Sequence, residues 1–262
     1  MTKPLISIIT ICYNEKYIEK TCVSIVNQTL QDFEWIVVDG ASTDGTTLNI
    51  LNKYRNKMTV FISEKDTGRF NAMNKGIKKA RGKWLIFMNG GDTFHDFNVL
   101  KDVFYHKKYC GIDVLYGLVE RIKGSWRYIA YKPSILDLDF MKNDSIGHAA
   151  CFIKRSLFKK YGGYNESFQI VSDWLKWIEF LKARCSFYYL GIVVASYNLE
   201  GISSQGLTGR HKQEKEKVIK EYILNSENDD YLDNMIVRIT SKKSFGLFLK
   251  KKINQLLKKL FG

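Results

Sequence analysis

The chain has 262 residues, 45% of them hydrophobic, and a formal net charge of +14. That length holds one large domain or two small ones, and the apolar content excludes wholesale disorder. The charge requires an anionic partner, whether phosphate, nucleic acid or a lipid surface. Five cysteines (Cys12, Cys22, Cys110, Cys151 and Cys185) lack paired spacing and read as reduced thiols of a cytosolic protein, with no zinc site. The opening Met1-Thr2-Lys3-Pro4 leads into a β-branched run unlike a signal peptide. No apolar run reaches the roughly 18 residues of a spanning helix.

Leu5 to Cys12 is an Ile-rich run ended by Tyr13-Asn14-Glu15, which predicts a buried first strand. Residues 15–28 follow a helical period through Ile18, Cys22, Ile25 and Val26. A second strand, Phe33 to Val38, ends in Asp39-Gly40-Ala41-Ser42-Thr43-Asp44, whose polar residues should cap a helix over 44–55. Met58 to Ile62 predicts a third strand ending near Asp66. A helix with Met73, Ile77 and Ala80 on one face follows, stopped by Gly82. The run 84–88 then ends abruptly in Asn89-Gly90-Gly91-Asp92.

Strands alternating with helices of about a dozen residues mean βαβ units and a parallel sheet. Tyr13, Asp39, Asp66 and Asn89 to Asp92 then follow successive strands at one sheet edge, where open α/β sheets bind ligands. Polar clusters after all four strands are explained by a shared site. The absence of GxGxxG after the first strand and of GxxxxGK[ST] disfavours a dinucleotide fold and a P-loop.

The second half is less regular. A helix over 96–106 precedes strands over 112–120 and 126–131, and His148 to Ile153 is a short apolar run. Residues 159–168 read as a turn-rich loop with aromatics that exposes Tyr161 and Tyr164. Residues 171–183 read as a helix with Asp173 in its first turn, 187–196 as a strand and 207–225 as a charged helix. Trp174, Trp177 and Phe180 stand at helical spacing that suits a core. Residues 244–262 carry an apolar stripe (Leu249, Ile253, Leu256, Leu257, Leu260) among lysines, the composition of a basic amphipathic helix on anionic lipid. A helix packed on the domain has the same stripe.

Residues 8–14, 36–46, 64–68 with 72–76, and Phe87-Met88-Asn89-Gly90-Gly91-Asp92 together carry a likeness. The chain resembles an inverting family 2 glycosyltransferase of the GT-A fold, of bacterial type. The likeness is continuous over about residues 5–95 and looser over 147–204, at His148, Ser172-Asp173-Trp174 and Gly201-Ile202-Ser203-Ser204.

The resemblance implies an α/β fold: a mostly parallel Rossmann-like sheet, helices on both faces, and a C-terminal helical extension. Residues 1–95 would be the donor-binding half, 96–205 the acceptor half and 206–262 the extension. It implies sugar transfer from a nucleotide donor, UDP-linked in the first instance, to a saccharide or lipid-linked acceptor, with Mn²⁺ or Mg²⁺ as cofactor. Asp39 looks like the acid that reads the nucleobase, Tyr13 like part of the base pocket and Asp92 like the metal acid. Asp173 is similar to the catalytic base, and Tyr161 and Tyr164, by stacking on sugar, and Trp174 are the acceptor candidates. Asn89 replaces the first acid of the usual Asp-X-Asp signature, and Ser172 stands where relatives carry a second acid. Asp66 binds the donor or caps its helix, and Arg69 neutralises phosphate or lines a basic face. His148 ligates the metal, contacts the acceptor or sits in the core. The expected site is cytoplasmic, peripheral on the inner face of the membrane. A silent scaffold of the same fold, a nucleotidyltransferase and a nucleic-acid binder are the alternatives; no zinc spacing or RRM signature accompanies the last.

Overall fold

The computed structural model describes residues 3–199 and 209–223. The expectations for Gly201 to Ser204 and for the tail 244–262 lie outside the described residues.

The first half alternates as expected. Strands β1 (Ile6–Cys12), β2 (Phe33–Asp39), β3 (Val60–Ser63) and β4 (Trp84–Phe87) enclose helices α1 (Ile18–Val26), α2 (Thr46–Lys53) and α3 (Arg69–Lys79). β1 is buried along its whole length, as the continuous Ile-rich run requires of a strand covered on both faces. Asp44 takes the expected capping role, its carboxylate accepting from the Thr47 N–H and hydroxyl.

The second half adds β5 (Thr93–Phe94), α4 (Val99–Phe104), β6 (Val114–Lys123), β7 (Trp126–Ile129), α5 (Leu138–Asn143), β8 (Cys151–Lys154), α6 (Arg155–Tyr161), α7 (Ser172–Lys182) and β9 (Phe187–Asn198). A helix α8 (Gly209–Val218) runs into a wider turn over Ile219–Ile223. β5 is two residues long and α5 and α6 have six and seven, too short for a periodic signal. The 159–168 stretch, expected as a loop, begins inside α6.

Among the described residues the strands form one sheet, ordered β3-β2-β1-β4-β8-β6-β9-β5, with β7 on β6. β3, β2, β1 and β4 are parallel throughout; β8 enters antiparallel between β4 and β6. Parallel order returns at β6–β9, while β5 and β7 pair antiparallel. Two apolar layers cover the faces. One packs α3 and α7 through Phe70, Met73, Trp177 and Phe180, and the other packs α1 and α4 through Ile18, Cys22, Leu100 and Val103. Gly76 lets α3 approach β1 closely, since a Cβ there would lie 2.5 Å from Ile9 Cγ2.

Candidate active site

The carboxyl ends of β1, β2, β3 and β4 bring Tyr13, Asp39, Asp66 and Asn89 to Asp92 to one edge, as the alternation predicts. The loops there are tied to one another. Asn14, in the left-handed region at φ +48°, accepts at Oδ1 from the Thr43 and Asp44 amides (2.7 and 3.1 Å) and donates its own N–H to Ser42 Oγ (2.8 Å). Ala41 also has positive φ (+63°), an uncommon state for a residue with a Cβ and one that the surrounding bonds sustain.

Asp39 is fully buried. Its carboxylate accepts from the Ser42 amide (3.0 Å), the Ser42 hydroxyl, the Ser63 hydroxyl (2.7 Å) and the Cys12 thiol. It therefore locks the β2 loop against β1 and β3. Tyr13, beside it, is 55% exposed and free to present its ring. Asp66 takes a capping role, accepting from the Gly68 amide (2.9 Å). Its other oxygen would lie 2.6 Å from a Cβ on Gly40, so the β2 loop passes close against Asp66 and a side chain at Gly40 would push that carboxylate aside.

The β4 turn is held from α1. Thr21 Oγ1 accepts from the Gly91 amide (2.9 Å) and donates to the Asp92 carbonyl (2.7 Å). Asn89 Oδ1 is buried without a hydrogen-bond partner, which leaves an amide oxygen open to a cation. Burial, then the charge of Glu15, pushes Asp92 up to about 7, with Arg69 opposing. A half-buried acid with a like charge beside it and an orphaned amide oxygen three residues away are oxygen donors of the kind a divalent ion takes together with phosphate oxygens. Among the described residues no group of three or more His, Cys, Asp or Glu side chains is gathered that could hold the ion by itself. Sequence reasoning missed Thr21 and Glu15, because a lone Thr inside a helix and an acid at a helix start carry no pattern of their own.

Across β4, His148 stacks on Phe87 (centroids 4.8 Å apart) and contacts the Tyr164 hydroxyl through Nε2 at 2.7 Å. Burial holds its pKa below the usual histidine value against the opposing charge of Asp173. The imidazole is thus neutral, with Nε2 already engaged. Asp173 lies in the first turn of α7, and its charge bears on His148, Cys151 and Tyr164 together.

The acceptor expectations need correction. Tyr164 is buried, because Asn74 on α3 holds its loop: Oδ1 accepts from the Tyr164 amide (2.8 Å) and Nδ2 donates to its carbonyl (2.9 Å). Trp174 is buried too, donating to the Met141 carbonyl at 2.8 Å. Tyr161 packs on Phe180 and interacts with Cys185, which leads into β9 at the opposite edge of the sheet. None of the three offers a free ring face at the site.

Two features come from afar. A cavity of about 250 Å³ is lined by Gly68, Arg69, Asn71, Glu166, Phe168 and Gln169, among others. The wall just before α7 is gripped by α8: the Glu214 carboxylate accepts from the amides of Gln169 (3.0 Å), Ile170 (2.9 Å) and Val171 (3.3 Å). α7 has no side-chain cap of its own, and Glu214 instead fixes the segment that leads into it, up to the amide of its N-cap residue Val171.

Comparison with known proteins agrees with this geometry. Residues 7–162 match the family described as Glycosyl transferase family 2. A PGL/p-HBAD biosynthesis glycosyltransferase of Mycobacterium bovis is 33% identical over 207 residues, covering 76% of this chain and 78% of the relative. The putative teichuronic acid biosynthesis glycosyltransferase TuaG of Bacillus subtilis is 29% identical, over 75% of this chain and 80% of its own. S. aureus TarS 1-349 in complex with UDP-GlcNAc has a similar fold, with a TM-score of 0.63 and 24% identity over 77% of this chain and 60% of that one. A mannosyltransferase from Pyrobaculum calidifontis, solved with GDP-Man and Mn²⁺, has a TM-score of 0.58 at 17% identity, covering 81% of this chain and 60% of that one. The chain thus spans well under two thirds of these solved structures. The chain belongs to glycosyl transferase family 2 and is a glycosyltransferase of the GT-A fold.

Proposed function

We propose that the enzyme transfers a sugar from a nucleoside diphosphate sugar, UDP-linked, to an acceptor hydroxyl with inversion, in the synthesis of bacterial surface polysaccharide or lipid-linked glycan. The names of the mycobacterial and Bacillus relatives support the glycan class, and the UDP-GlcNAc bound by TarS supports the donor class. The observation that carries the reading is the pair at the end of β4: an orphaned Asn89 Oδ1 and a charge-stressed Asp92, on the strand whose Phe87 underlies His148 beside Asp173.

In this reading Tyr13 and the loop locked by Asp39 hold the nucleobase, with Asp66 behind them. Arg69 and the start of α3 face the diphosphate. Asn89 Oδ1 and Asp92 would hold Mg²⁺ or Mn²⁺, which neutralises the charge that develops on the departing diphosphate. His148 reaches a metal through Nδ1 alone. Asp173 accepts the proton of the attacking hydroxyl, so displacement occurs in one step and inverts the anomeric centre. The neutral His148 and Tyr164 beneath it form a rigid, weakly polar floor that keeps the carboxylate from being neutralised by a cation of the protein's own.

The test is thermal stabilisation. UDP-GlcNAc with Mn²⁺ should raise the melting temperature more than either alone, because a ligand that binds only the native state adds to its apparent stability. Asp92→Asn should remove the Mn²⁺-dependent increment while leaving the unliganded melting temperature near that of wild type. An undiminished increment in the variant would take Asp92 out of the metal site. No stabilisation by any nucleotide sugar in the wild type would favour the silent scaffold.

The membrane reading rests on the tail's sequence, 244–262. Among the described residues no helix is long and apolar enough to cross a membrane. We propose that the tail attaches the enzyme to the cytoplasmic face of the membrane beside its acceptor. A chain shortened after Ile239 should no longer sediment with anionic vesicles yet should keep donor binding; equal sedimentation of the two chains would refute attachment through the tail.

A further inference from the structure

With the expected acceptor aromatics buried, other aromatics lie open. The hairpin of β6 and β7 exposes Trp126 (78%), Tyr128, Ile129 and Tyr131. Exposed Trp and Tyr beside one another mark binding surfaces more often than chance scatter does. Strand register places them. Arg121 lies opposite Tyr128 on β7 and opposite Tyr197 on β9, and Lys123 lies opposite Trp126. Residues two apart on a strand share a face, so Trp126, Lys123, Tyr128, Arg121 and Tyr197 form one surface. The Arg121 guanidinium sits between two rings, 5.9 Å from the centroid of Tyr128 and 5.8 Å from that of Tyr197. Its Nε is buried with no hydrogen-bond partner.

This surface runs into the site. β5 pairs antiparallel with β9, Thr93 opposite Ser196, so the next step of the register sets Asp92 beside Tyr197. The charge of Asp92 is felt at the Tyr197 hydroxyl. From Tyr128 through Arg121 to Tyr197 the ladder crosses three strands, about 10 Å at the usual strand spacing.

We propose that this face is the acceptor track, and that it binds an acidic oligosaccharide whose growing end reaches Asp92 and Asp173. The inference rests on the transfer reading above and supplies its acceptor class. Aromatic rings take the apolar C–H face of a pyranose and leave its rim hydroxyls to water. A guanidinium fixed by the Tyr128 and Tyr197 side chains, its Nε still without a partner, is prearranged for a carboxylate or phosphate oxygen. Charge is complementary: the face carries Arg121 and Lys123, while Glu120 falls on the other face of the hairpin, 3.6 Å from Arg127, and Lys132 is buried against Asp144. The turn is Gly124-Ser125, closed by Lys123 opposite Trp126, and from that pair the aromatic face leads inward to the site.

Trp126 is a built-in reporter, because Trp35, Trp84, Trp174 and Trp177 are all buried. Acrylamide quenching of the native full-length enzyme, with UDP and Mn²⁺ present, therefore reads chiefly Trp126. Oligogalacturonate (carboxylate) or phosphomannan (phosphate) should at least halve the quenching constant, a neutral malto-oligosaccharide should not, and Arg121→Gln should weaken the acidic ligand roughly tenfold. Which polymer protects identifies the acidic group. The proposal is overturned if neither acidic saccharide protects Trp126 while UDP still binds by calorimetry. It is equally overturned if phosphatidylcholine vesicles doped with phosphatidylglycerol protect Trp126 and the saccharides do not. Loss of UDP binding itself would instead indict the transfer reading, and the quenching would still decide the track on its own.

Discussion

Asp173→Asn is expected to lower sugar transfer by about 10²–10⁴-fold, the usual worth of a positioned base, while nucleotide-sugar binding stays within about twofold of wild type. The exchange keeps volume and removes proton acceptance. A competing account makes Asp173 a residue that only complements the α7 dipole. Against that account, the charge of Asp173 bears on His148, Cys151 and Tyr164 in the site. A dipole contribution is worth about 0.3–1 kcal/mol, so stability of the variant should be close to wild type. Turnover under saturating donor, donor affinity by calorimetry and the anomeric configuration of the product by NMR decide the matter. Retained configuration, or a variant that still turns over at wild-type speed, would remove Asp173 as the base.

The second large effect is expected on stability, far from the chemistry. Glu34 on β2 is almost wholly buried. Its carboxylate accepts from Ser7 Oγ (2.6 Å), from the Arg81 amide and Nε (3.0 Å for the latter) and from the Gly82 amide (3.1 Å). It staples β1, β2 and the turn into β4 at the amino edge of the sheet. Glu34→Ala should cost about 3 kcal/mol or more, since each buried donor stranded without a partner costs about 1–3 kcal/mol. Burial alone would raise the Glu34 pKa, but the bonds from Ser7, Arg81 and Gly82 outweigh it and hold it below the usual range. A folded pKa below the unfolded one means a contribution present above the unfolded value, about 4.3, and lost as pH falls through the folded value. Urea midpoints should thus separate wild type from variant widely at neutral pH and converge in acid. Specific activity per folded molecule should not change, because Glu34 and the site lie at opposite ends of the strands.

The first half was legible because its signals are local. Ile-rich runs closed by turn residues gave β1, β2 and β4 away, and their alternation with helices put Tyr13, Asp39, Asp66 and Asn89 to Asp92 at one edge. The second half was not, because what matters there is decided across the chain. Gly162-Gly163 made Tyr164 look like an exposed loop residue, yet Asn74, ninety positions earlier, draws that loop into the core. The pattern over 126–131 predicted a strand correctly, but an alternating strand normally hides one face, and β7 hides neither. Glu34 lies inside an apolar run with no local signal of burial; only Ser7 and the Arg81-Gly82 turn, folded against it, reveal it.

The grip of Glu214 on the approach to α7 bears on modularity. The family match stops at residue 162, before the helix that carries Asp173, and the hand that steadies that helix lies further on still, 43 positions past Val171. The smallest unit able to act alone is therefore longer than the recognisable one. Recombining such enzymes at the edge of the shared motifs would exchange the loops after β1 to β4 intact, but it would set each α7 against a foreign brace. Swaps that carry α7 and α8 together are the ones that preserve the working geometry.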